Sequence, residues 1–147
     1  MTPAGGRPTL ASYAISEICA QAIYDHGEEA AAAVLASQNN EAVEKIVEAN
    51  TLLSGIGFES GGLAMAHPLA LAYTRIDRVH DTYLHGEIVA ISTMAQLFLE
   101  QSSDLEKATR FFARVGLPVH LGQLSMSPED STEPVSYTHL RAHETSE

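Results

Sequence analysis

The sequence predicts an all-α fold, a helical bundle, and three observations carry that expectation. Apolar residues recur at every third or fourth position along most of the chain. No segment alternates apolar and polar residues as a half-buried strand would. The interruptions carry helix-start and helix-stop chemistry. With 147 residues, 45% of them hydrophobic and 18% charged, the chain can bury a substantial core.

The elements follow in order. Thr9 is a candidate N-cap. Leu10, Ala14, Ile18 and Ala22 then recur every fourth residue beside Ile15, Cys19 and Ile23, giving a helix expected to end near Gly27. Residues 28–37 are alanine-rich, and the first-turn acids suit a second, shorter helix. Gln38, Asn39 and Asn40 form a turn. A third helix is expected over 41–53, with Val43, Ile46, Val47 and Leu53 on one face and Asn50 among them, bonded to backbone. The glycines over 55–62 then break the pattern. A fourth helix carries His67, limited or bent by Pro68. A loop is expected over 77–84, and a fifth helix over 85–100 with Ile88, Ile91, Ala95 and Phe98 on one face. Ser103 and Glu106 have capping-box spacing for a sixth helix, which stops near Gly116 and Pro118.

Composition narrows the function classes. The net charge is -11, from 19 acidic and 8 basic residues, so nucleic acid and anionic membrane surfaces are disfavoured as partners. No stretch approaches the roughly 18–20 apolar residues of a membrane span, and no secretory leader pattern opens the sequence. Cys19 is the single cysteine. It rules out an intrachain disulfide, fits a cytoplasmic location, and sits where a buried, unreactive thiol is expected.

Two features could carry chemistry. The spacing of Gly55, Gly57 and Gly61 superficially matches a dinucleotide fingerprint. That fingerprint works only as a strand-to-helix turn, and here a helix precedes it. The glycines are better read as permitting close approach of backbone, ligand or metal, with Phe58 and Ser60 as neighbours. The second feature is His67 and His85, 18 residues apart and each among small residues. Imidazole is the commonest neutral metal ligand, but no i, i+4 zinc helix is present, so the pair could bind metal only by tertiary convergence of two helices. Imidazoles within roughly 3–4 Å of each other, opening on a shared cleft, would favour the metal reading. Packed or distant rings would favour a helical interaction module without catalysis. Glu87 could orient an imidazole, although a favourable first-turn acid is the simpler role.

Four segments taken together carry a resemblance: residues 4–11, residues 44–67, His85-Gly86-Glu87, and Val115-Gly116-Leu117-Pro118. They resemble the glycerol dehydrogenases of the iron-containing (group III) alcohol dehydrogenase family, over about residues 4–124, and the histidine spacing agrees. The long middle motif is specific. The resemblance implies a C-terminal helical domain whose preceding α/β domain binds NAD. It implies zinc, with iron as the alternative, held in the cleft between the two domains by one Asp and two His. His67 and His85 match the histidines, while the Asp and the NAD domain would precede this chain. No other catalytic residue and no cofactor-binding residue is expected within it. Phe58 would wall the substrate pocket. The implied reaction is oxidation of glycerol to dihydroxyacetone by hydride transfer, in a homo-oligomeric cytoplasmic enzyme. The chain alone is expected to be inactive.

The sequence also departs from the family. Ala70, Leu71 and Ala72, following an unusual Pro68, stand where a second His and Asn-Gly are frequent, and Ile88 stands where Lys is common. Another polyol or small alcohol therefore remains open as substrate. A helical metal-binding domain is expected over 1–125 and a disordered tail over 126–147. Within that tail, residues 135–147 resemble translated sequencing-adapter read-through and are expected to be non-native.

Overall fold

A computed structural model describes residues 6–61 and 64–125. Every regular element among them is helical, as the periodicity predicts. The expectations for the tail over 126–147 lie outside the described residues. The described residues pack as two compact units, the first up to residue 61 and the second from residue 64.

The N-terminal unit is organised by α1, Leu10–Leu35. Thr9 caps it as expected: its Oγ1 accepts the Ser12 N–H at 3.1 Å, and Ser12 Oγ accepts the Thr9 N–H at 3.0 Å. The break expected at Gly27 does not occur. An interior glycine costs a helix only about 1 kcal/mol relative to alanine, and the alanines beyond it pack, with Ala30 and Ala33 buried. The helix stops where Ser37 turns to φ +54°, letting the Gln38 N–H donate to the Ala33 carbonyl at 2.8 Å.

Helix α2, Glu41–Glu48, starts on Asn40, whose Oδ1 accepts the Val43 N–H at 3.0 Å. The Asn40 Nδ2 donates to Glu29 Oε1 at 2.9 Å, tying this cap back to α1. The chain then runs through a π-helical turn, Ala49–Leu53, into α3, Ser54–Gly61. The glycine-rich stretch is thus a helix and not a break. Its glycines serve contact, because a Cβ on Gly57 would lie 2.9 Å from Ser16 Oγ of α1. The π-turn displaces the face pattern by one residue. Asn50 consequently stands exposed, contrary to its expected place on the apolar face.

The C-terminal unit contains α4, Ala66–Tyr73; α5, Asp77–His80; α6, His85–Leu99; and α7, Leu105–Arg114; a 3-10 turn, Leu121–Leu124, follows. Helix α4 packs on α6, and α6 on α7. Its core joins Ala70, Tyr73, Val79, Ile88, Ile91 and Leu124. Pro68 sits in the first turn of α4, where its missing N–H costs nothing. The segment expected as a loop opens with the helical turn α5. The capping box expected from Ser103 and Glu106 does not form. Instead the helix follows Asp104, whose N–H donates to Ser102 Oγ at 3.2 Å. The expected stop does occur: Gly116 adopts φ +81°, and the Leu117 N–H donates to the Phe112 carbonyl at 2.8 Å. No helix among the described residues is long and apolar enough to cross a membrane.

Candidate metal centre

His67 and His85 open two different helices. His67 is the second residue of α4, and His85 the first of α6. Packing of α4 on α6 brings the two starts together. The imidazole centroids lie 5.8 Å apart, edge to face at 64°, and both residues are exposed. Two imidazoles on one tetrahedral zinc, at about 2.0–2.1 Å from metal to nitrogen, have centroids roughly 5 Å apart. The observed separation is somewhat longer than that. Among the described residues no third His, Cys, Asp or Glu joins them.

The neighbours are accounted for. Glu87 has the plainer of its two expected roles: its Oε2 accepts the Leu84 N–H at 2.7 Å and fixes the start of α6 beneath His85. His80 pairs with exposed Asp81, Nδ1 to Oδ1 at 3.0 Å. Phe58 belongs to the N-terminal unit. It is half-exposed and lines a groove of about 280 Å³ with Cys19, Ile23, Leu53 and Gly57. Cys19 is buried, its Sγ–H reaches the Ala49 carbonyl at 3.4 Å, and burial pushes its thiol pKa up, away from thiolate chemistry.

One contributor was not read from the sequence. Gln96 of α6 accepts the Ala66 N–H on its Oε1 at 2.9 Å, one residue before His67. A spacing signal existed. Residues 85 and 96 are 11 apart, close to three whole turns, so they share a face of α6. A second opening in the C-terminal unit, about 320 Å³, is walled by Tyr73, Ile91, Met94, Phe98 and Leu121 among others. It is mainly apolar, with Thr109 and His120 on its wall, and holds neither histidine of the pair.

No family model matches the chain. Relatives do. Over 131 residues the chain is 42% identical to glycolaldehyde reductase of Halobacterium salinarum, covering 88% of this chain and 36% of that protein. Over 128 residues it is 42% identical to glycerol dehydrogenase of Citrobacter freundii, covering 86% and 35%. Among solved structures, a probable glycerol dehydrogenase from Sinorhizobium meliloti superposes with a TM-score of 0.82 at 38% identity, covering 88% of this chain and 37% of that one. Glycerol dehydrogenase from Schizosaccharomyces pombe gives 0.81 at 35% identity, covering 88% and 35%. The chain thus spans about a third of the length of the relatives it matches. Over that span it is a homologue of glycerol dehydrogenases in both sequence and fold.

Proposed function

We propose that the chain is the helical, metal-binding part of an NAD-dependent, zinc-dependent glycerol dehydrogenase. The observation that carries this reading is the convergence of His67 and His85 at the starts of two packed helices. Each imidazole would offer one ring nitrogen. An Asp from a segment outside this chain would complete the set, and the α/β part that holds NAD would lie there too. A zinc ion so held supplies Lewis acidity toward a substrate hydroxyl, and NAD supplies the hydride acceptor.

The contribution of this chain is placement. Helices α4 and α6 would each carry one ligand at their starts, and Glu87 fixes the start of α6. Glycerol is the leading substrate, with dihydroxyacetone as product. The similarity to a glycolaldehyde reductase supports a class that also includes other small hydroxy-alcohols and their carbonyl partners. The complete enzyme would be cytoplasmic and homo-oligomeric.

Zinc titration by calorimetry tests the reading. The chain should bind about one zinc ion weakly, and the double variant His67→Ala, His85→Ala should lose that binding. Equal affinity in the two would remove the metal assignment. The chain alone should show no glycerol-dependent NAD reduction; sustained turnover would contradict the division of labour proposed for it.

A further inference from the structure

The start of α4 is where His67 must be held, and it is poorly held by its own sequence. Its N-cap, Met65, makes no side-chain capping bond. Pro68 has no N–H, and the first N–H to find an intrahelical carbonyl is that of Leu69, donating to Met65 at 3.1 Å. The donor immediately before His67, the Ala66 N–H, is taken across the helix pair by Gln96 Oε1 at 2.9 Å. The Gln96 amide has a defined orientation, because its Nε2 donates to Glu100 Oε1 at 2.9 Å, one turn further along α6. Carboxylate, amide and backbone thus form a short chain of hydrogen bonds. It runs from the end of α6 to the residue preceding His67. The same helix, α6, presents His85 on the Gln96 face.

We infer that Gln96 is the positioning residue of the histidine pair: acting through Ala66, it substitutes for the missing cap of α4 and sets His67 against His85. The inference rests on the metal reading only for its purpose, since the bond and the ring contact exist without an ion. Removing the acceptor frees the first turn of α4 to fray, and a frayed turn carries His67 away from its partner. A single hydrogen bond of this kind contributes about a factor of five to such an equilibrium.

The test uses the 147-residue chain and the variants Gln96→Leu, Gln96→Glu and Glu100→Ala. Three quantities are read: hydrogen exchange of the Ala66 amide, ring-to-ring NOEs between His67 and His85, and zinc affinity by calorimetry. Q96L should speed Ala66 exchange about fivefold or more, lose the NOEs and weaken zinc by a similar factor, with helicity unchanged. Q96E keeps an acceptor for the Ala66 N–H but cannot donate to Glu100 and repels it, so it should fall between the unmodified chain and Q96L in all three. Glu100 is on the surface, so its loss leaves the fold intact; E100A should raise Ala66 exchange by a smaller factor, which keeps the idea testable if Q96L unfolds. Unchanged exchange and NOEs in Q96L, or in E100A if Q96L unfolds, would overturn the positioning role. If the unmodified chain takes up no zinc, the metal reading fails, and the exchange and NOE data still decide the role of Gln96.

Discussion

The two units bury different kinds of residue. In the N-terminal unit the buried positions are small: Ser12, Cys19, Ala30, Ala33, Ala42, Ala49 and Gly57. Its large apolar side chains remain outside, with Leu10 and Leu35 nearly 90% exposed and Ile18, Val34 and Leu52 at half or more. The C-terminal unit also buries small residues and leaves Leu84, Phe98 and Leu99 exposed, but it adds large side chains to its interior. Tyr73, Val79, Ile88, Ile91 and Leu124 fill one continuous core. Small residues let helix backbones approach closely but bury little area each, whereas large ones supply the transfer free energy that dominates folding. The C-terminal unit rests on that apolar core. The N-terminal unit is built for close helix contact, and its apolar exterior resembles that of a helix made to be covered on several sides.

The largest effect expected from this difference comes from truncating equivalent side chains in the two units. Ile88 is 1% exposed and Ile18 is 58% exposed. Ile88→Ala should cost about 2–5 kcal/mol and Ile18→Ala under about 0.5 kcal/mol. Urea unfolding followed by circular dichroism checks both. Similar losses at the two positions would mean that Ile18 is covered in solution, and the contrast between the units would disappear.

Legibility in the sequence follows the same division. The helix over 85–100 was readable because Ile88 and Ile91 really do bury at helical spacing, and the stop at Gly116 because a left-handed residue is needed there. Across the glycine-rich segment the reading failed. Glycine signals a break when only propensity is counted, yet Gly57 sits in a helix because tertiary contact with Ser16 outweighs its intrinsic cost. Asn50 was misplaced because the π-turn shifts register, which a fixed 3.6-residue period cannot anticipate. The histidines read as a pair from the resemblance, while their spacing alone leaves open whether they converge. Their approach depends on the packing of α4 on α6, and the Gln96 bond that supports it joins residues 30 apart.

A middle-sized effect tests the role of small residues in the N-terminal unit. Gly55 and Gly57 lie in one helix, but a Cβ meets nothing within 4 Å at Gly55 and meets Ser16 Oγ at 2.9 Å at Gly57. Gly55→Ala should stabilise by about 0.5–1 kcal/mol, the glycine penalty recovered. Gly57→Ala recovers the same gain but makes the Ser16 hydroxyl rotate, so it should be close to neutral. Gly57→Val cannot be accommodated by that rotation and should cost about 1–3 kcal/mol. Thermal melts order the three. If Gly57→Val were neutral, close approach of α1 and α3 would not be what holds this unit.

The smallest effect is at alkaline pH, where burial raises the pKa of the Cys19 thiol in the first unit and of the Tyr73 hydroxyl in the second. Both acids are neutral when protonated, so burial favours the protonated form and the folded state binds the proton more tightly than the unfolded one. The stability each group permits is complete below its unfolded pKa and is lost as pH rises through the folded pKa. Unfolded thiols titrate near about 8.5 and phenols near about 10. The N-terminal unit should therefore begin to lose stability at lower pH than the C-terminal unit. Hydrogen exchange resolved by residue, followed from pH 8 to pH 11 (on the order of these two pKa values), reads the units separately. Cys19→Ala should remove the earlier decline and Tyr73→Phe the later one, each leaving the other in place. Simultaneous loss in both units, unaffected by either substitution, would mean that the units unfold as one body and that their different cores do not give them separate stabilities.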